Sequence, residues 1–83
     1  MSYEELRTAK RKAVGTKETL KALERGDVKT VFVAGDAEEH VVKNVKSLCK
    51  TKGVPIVNID TMMQLGKACG IEVGAAAAAI LQD

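Results

Sequence analysis

Tryptophan is absent from this 83-residue chain, and there is one tyrosine and one phenylalanine. Any core must therefore be aliphatic. There are also no aromatic platforms on which successive bases of a single strand could stack, which counts against a generic single-strand binder. Cys49 and Cys69 are far apart and form no Cys-x-x-Cys pair, so metal and redox readings lack their usual spacing. Two isolated thiols suit a reducing cytosol. No apolar run reaches about 18 residues, so no membrane-spanning helix is expected. The opening Met1-Ser2-Tyr3-Glu4-Glu5 is acidic and polar, the opposite of a secretory leader. The expectation is a cytoplasmic protein. The single histidine, His40, has no ligand or nucleophile to work with, and no Gly-x-Gly-x-x-Gly or lysine-bearing phosphate loop occurs. The acidic cluster Asp36, Glu38 and Glu39 reads as a solvated turn. No enzymatic activity, no cofactor and no metal site are expected.

What the chain does have is enough apolar content, 46 %, to pack one small domain over residues 1–83. The net charge of +2 hides an asymmetry. Residues 1–30 hold eight cations (Arg7, Lys10, Arg11, Lys12, Lys17, Lys21, Arg25 and Lys29) against five carboxylates, whereas residues 53–83 hold one cation, Lys67. A footprint for a polyanion would lie in the first third of the chain. An ordinary solvated helix face would look the same from charge alone.

The pattern alternates helices and short strands. Residues 3–11 read as a polar helix and Lys12-Ala13-Val14 as a brief strand. A helix runs from Thr16 to Arg25 and stops at Gly26. Val28–Ala34 is β-branched and apolar, a buried strand. Residues 38–52 carry Val41, Val42, Val45, Leu48 and Cys49 at helical spacing, with Gly53 as terminator. Pro55–Ile59 reads as a strand. Asp60 or Thr61 then caps a helix with Met62, Leu65 and Cys69 inward, ending at Gly70. Both cysteines and the methionines are expected in the core. The run Ala75–Leu81 is ambiguous: alanine favours helix, while its position after a helix and a short loop favours a strand. The class is α/β, a single sheet covered by helices.

One constellation carries chemical information. At roughly 100° per residue, Lys17, Glu18, Lys21 and Arg25 share one face of the second helix, with Thr19, Leu20 and Leu23 on the other. The Gly15-Thr16 turn precedes them, where backbone N–H groups favour an anion such as phosphate. Glu18 is out of place in a simple phosphate site. A carboxylate can accept from base-edge donors such as a guanine pairing edge, or it can form an i,i+3 pair with Lys21 in a favourable dipole position. A second feature is Gly70-Ile71-Glu72-Val73-Gly74. Its two branched apolar residues either begin the last strand's core face or form an apolar lip against an unstacked base.

The stretch Val14-Gly15-Thr16-Lys17-Glu18-Thr19-Leu20-Lys21 resembles a signature of the L-seven-Ae/L-thirty-e ribosomal protein superfamily. Leu65-Gly66-Lys67-Ala68-Cys69-Gly70-Ile71-Glu72-Val73 resembles its second signature, in the same order and at matching separation. The resemblance covers nearly the whole chain and is strongest to the small bacterial ribosomal-protein-like members. It implies a three-layer α-β-α sandwich around a mixed four-stranded sheet, which would make Ala75–Leu81 the closing strand. It also implies binding to kink-turn RNA, a helix bent at a three-nucleotide bulge beside tandem sheared G·A pairs. No DNA or membrane partner is expected, and, since nothing in the sequence indicates an oligomer, a monomer is expected. The implied contacts are Gly15, Thr16, Lys17, Glu18 and Lys21 at the G·A pairs, and Ile71, Glu72 and Val73 on the extruded nucleotide. Phosphate contacts from Arg25 and Lys67 would fix register. Many members carry asparagine where this chain has Lys17, and an ammonium donates but cannot accept. Some relatives have lost RNA binding and act as protein-interaction modules, which is the alternative function.

Overall fold

The computed structural model describes residues 4–82. Its elements are α1 (Glu4–Thr8), β1 (Lys12–Val14), α2 (Thr16–Arg25), β2 (Val28–Ala34), α3 (Glu39–Lys52), β3 (Ile56–Ile59), α4 (Met62–Ala68) and β4 (Ala77–Leu81). The first helix is shorter than the sequence suggests. It ends at Thr8, and Tyr3 lies outside the described residues. Lys10 and Arg11 instead lead into β1, where Lys12 pairs with Ile80.

The strands form one mixed sheet in the order β1-β4-β2-β3. β4 runs antiparallel to both its neighbours, and β2 is parallel to β3. Successive side chains of a strand point to opposite faces. Val31 and Val33 of β2, with Ala77 and Ala79 of β4, face one core together with Ala22, Leu23, Val42, Val45 and Cys49 of α2 and α3. Phe32, Ala34, Ala78 and Ile80 face a second core with Leu6, Leu65, Ala68 and Cys69 of α1, α4 and its end. The result is the α-β-α sandwich, with α2 and α3 on one side and α1 and α4 on the other.

This placement resolves the alanine run. β4 is hydrogen-bonded on both edges and buried on both faces, with Ala77, Ala78 and Ala79 inaccessible to solvent. Two ladders and two cores outweigh an intrinsic helix preference of a few tenths of a kcal/mol per residue relative to other helix formers. The small side chains let a helix layer approach on each side. Both cysteines are buried as expected, and burial pushes both thiols above their ordinary pKa. The methionines depart from expectation: Met62 and Met63 are exposed at 36 % and 53 %, and Met1 lies outside the described residues. The apolar face of α4 is carried by Leu65, Ala68 and Cys69 alone, because the helix has only seven residues.

Candidate nucleic-acid interface

β1, β2 and β3 point in one direction, so the helices that follow them all begin at the same end of the sheet. β4 begins there too. The N-termini of α2, α3 and α4 thus converge with the loop that leads into β4. Two of these N-termini are occupied or acidic. The Asp36 carboxylate accepts from the Met62 N–H at 2.7 Å, and Thr61 Oγ1 accepts from the Gln64 N–H at 3.1 Å. The start of α3 carries Glu38 and Glu39. Thr61, rather than Asp60, is the cap of α4.

The start of α2 differs. Gly15 sits at φ 96°, ψ 158°, and no side chain caps the helix. Those angles belong to a region essentially restricted to glycine. The Gly15 N–H donates to the Ala77 carbonyl at 2.8 Å, and its own carbonyl accepts from the Thr19 N–H. Among the described residues, no protein acceptor meets the N–H groups of Thr16, Lys17 or Glu18. Three donors and the positive end of the helix dipole are left facing outward. Lys17, Glu18 and Lys21 are exposed beside them, while Thr19 on the opposite face is fully buried. Glu18 and Lys21 approach to 3.8 Å with both side chains more than half exposed. A solvated i,i+3 contact of this kind is worth only a few tenths of a kcal/mol, so a ligand can displace it at little cost.

The 70–74 loop is fixed by a glycine that the sequence reading passed over as a site residue. At Gly66 an added Cβ would lie 1.9 Å from the Val73 carbonyl oxygen. The loop therefore rests directly on α4, and the Ile71 N–H donates to the Gly66 carbonyl at 3.0 Å. The signal for it was the glycine in the middle of a helical pattern. The two branched residues of the loop part company. Ile71 is half-buried against the second core, and Val73 is 65 % exposed. Val73 is four residues from Ala77, whose carbonyl holds Gly15. At most about 14 Å of chain separates the lip from the α2 turn. Met62, against which Gly74 packs, extends the apolar surface around Val73.

Two of the sequence-derived candidates stand apart. Arg25 is eight residues beyond Lys17, about 12 Å along the helix, with its guanidinium 3.9 Å from Asp27. Lys67 is exposed on α4, on the other side of the sheet from α2, lining a shallow groove with Arg7 and Gln64. His40 is exposed and meets Glu38 at 3.2 Å. No group of metal-ligating side chains occurs among the described residues.

The α-β-α sandwich presents an uncapped helix N-terminus, two lysines and a glutamate beside an exposed apolar loop, a surface whose chemistry suits an anion. The chain belongs to the Ribosomal protein L7Ae/L30e/S12e/Gadd45 family, whose model matches residues 2–83. It is 56 % identical over 69 residues to RNA-binding protein TTE2299 of Caldanaerobacter subterraneus subsp. tengcongensis, covering 83 % of this chain and 84 % of that protein. It is 44 % identical over 82 residues to RNA-binding protein YbxF of Geobacillus stearothermophilus, covering 99 % of this chain and all of the relative. Among solved structures it is similar to the Giardia lamblia 15.5kD RNA binding protein, with TM-score 0.85 and 30 % identity over 98 % of this chain and 68 % of that one.

Proposed function

We propose that this protein binds RNA without catalysis, recognising kink-turns and stabilising their bent conformation. The observation that carries the reading is the convergence of the Gly15 turn and the Gly66-seated loop at one end of the sheet, with Glu18 exposed between two lysines. In this reading the free N–H groups of Thr16, Lys17 and Glu18 and the ammonium groups of Lys17 and Lys21 meet backbone phosphates. Glu18 leaves Lys21 and accepts from guanine in the tandem G·A pairs. Ile71 supports the loop from the core, and Val73 packs on the extruded nucleotide, with Glu72 exposed at the rim. Lys67, and Arg25 at greater distance, add phosphate contacts. The RNA samples bent and extended forms, and the protein shifts the population by binding the bent one. Lys17 replaces the acceptor capacity of an asparagine with a second phosphate contact, so affinity rests more on charge and falls more steeply with salt. The protein acts as a cytoplasmic monomer.

The test is a calorimetric titration with a kink-turn duplex, with the same duplex whose G·A pairs are changed to Watson–Crick pairs, and with Glu18→Ala protein. Tight binding to the first, lost in both controls, is expected. Equal affinity for the two duplexes would reduce the site to a generic basic face. No binding to either would favour a protein-interaction module.

A further inference from the structure

The kink-turn reading uses one end of the sheet and leaves most of the N-terminal cations unassigned. Three of them, Lys10, Arg11 and Lys29, line the opposite end, where β1, β2 and β3 begin, β4 finishes, and α2 and α3 terminate. Two open grooves lie there. One is lined by Lys10, Arg11 and Lys29 with Glu5, over Ala9, Ile80 and Leu81. The other is lined by Lys29 and Lys52 over Val54, Pro55 and Gln82. Lys29 is common to both, so the grooves form one path across the sheet end.

Local backbone geometry accounts for the position of Lys29. The β2–β4 register shifts between Val28 and Thr30: Val28 opposes Leu81 and Thr30 opposes Ile80. Two steps on β2 match one on β4, which is a bulge, and bulges re-aim a side chain out of the ladder. The extra residue is Lys29, and it is exposed. Among the described residues, the nearby carboxylates are already engaged or peripheral. Asp27 lies 3.1 Å from Arg11 and 3.9 Å from Arg25. Glu5 lines one groove, and Glu24 is exposed on α2. Lys10, Lys29 and Lys52 make no ion pair among the described residues. The C-termini of α2 and α3 carry partial negative charge, which Arg25, Lys50 and Lys52 in their last turns offset.

We propose that this end is a second RNA-backbone surface, on which Lys10, Lys29 and Lys52, with Arg11, track the phosphates of a regular helical segment. It offers cations along two grooves that share Lys29 and, among the described residues, no uncapped N-terminus of a long helix or exposed branched lip, so it suits phosphate and not base readout. The span of β2, seven residues or about 23 Å, separates the two ends. One molecule can therefore hold a specific site and a flanking or separate helix together. The inference rests on RNA as the partner class but not on kink-turn specificity.

The decisive probe is a fully Watson–Crick RNA duplex, without bulge or G·A pair, titrated at low salt. The proteins are the full chain, the triple variant Lys10→Gln/Lys29→Gln/Lys52→Gln, and the double variant Lys17→Gln/Lys21→Gln. The triple variant should lose at least tenfold in affinity, with a slope of log affinity against log salt shallower by about three. The double variant, which removes cations of the other site, should lose clearly less than the triple variant. Absence of duplex binding by the full chain, or equal binding by the triple variant, would overturn the proposal. A kink-turn titration of the same proteins keeps the two readings separate: the triple variant should retain its preference for G·A pairs, and failure of that preference in the full chain leaves the duplex comparison intact.

Discussion

Both ends of the sheet carry exposed cations but present them differently. At the Gly15 end three helices begin, glycines hold backbone close to backbone, and a carboxylate sits between two lysines. At the Lys29 end two helices finish in ordinary left-handed glycine caps, Gly26 and Gly53, and the cations line open grooves. Net charge cannot tell these ends apart. Backbone geometry can, because an uncapped N-terminus supplies fixed donors whereas a lysine supplies a mobile charge.

The comparison breaks most severely at Gly66. Gly66→Ala places a methyl 1.9 Å from the Val73 carbonyl, and backbone cannot move aside as a flexible side chain does. We expect a loss of about 3 kcal/mol in urea unfolding, with kink-turn affinity falling as the loop is displaced. Unchanged stability would show that the loop is not seated on α4. Next come Gly15→Ala and Gly26→Ala, one from each end. Neither meets any atom within 4 Å, so each cost is conformational. Gly15, at φ 96° and ψ 158°, should cost up to about 3 kcal/mol and weaken RNA binding. Gly26, at φ 73° and ψ 27°, should cost about 1 kcal/mol and leave kink-turn binding unchanged. Equal effects on binding would erase the distinction between the ends.

Glu18→Ala separates recognition from folding. Its contact with Lys21 is solvated, so stability should move by less than about 0.5 kcal/mol. Kink-turn affinity should fall by about 2 kcal/mol, roughly thirtyfold, for loss of a base-edge contact. A protein that still discriminated G·A from Watson–Crick pairs would assign specificity to RNA shape alone.

The layered fold was largely legible in the chain. Gly26 and Gly53 marked helix ends, and the β-branched, apolar run Val28–Ala34 marked a buried strand. Ala75–Leu81 was not legible from propensity. Its strand state comes from two flanking ladders, which are long-range pairings invisible to a local window. Met62 and Met63 misled because they open α4, whose first turn is exposed while its second packs on the core. At the site, the helical spacing of Lys17, Glu18 and Lys21 placed them on one exposed face. The seating role of Gly66 was hidden, since a close approach between an interior helix residue and a loop seven residues on leaves only a glycine as its trace. The Lys29 bulge was equally hidden, because nothing in Val28-Lys29-Thr30 specifies register against β4.

The smallest effect concerns a residue buried directly beneath the recognition face. Thr19 is completely inaccessible, and its Oγ1 has no hydrogen-bond partner. A threonine in a helix commonly donates to a carbonyl one turn back, which can accept it beside the helix N–H, but Thr19 Oγ1 makes no such bond, and the hydroxyl carries its desolvation cost uncompensated. Thr19→Val keeps the β-branched shape and removes that cost. We expect a gain of about 1 kcal/mol, a rise in melting temperature of roughly 4–8 °C for a domain of this size, and unaltered RNA affinity. Thr19→Ala is the control: it also removes the hydroxyl but opens space for a methyl group, so it should gain less than valine or lose stability. If valine destabilised the protein, the hydroxyl would have to be donating to a buried acceptor, and the first turn of α2 would be held from inside as well as by Gly15. Stabilisation without a change in binding would show that the buried face of that helix takes no part in RNA binding.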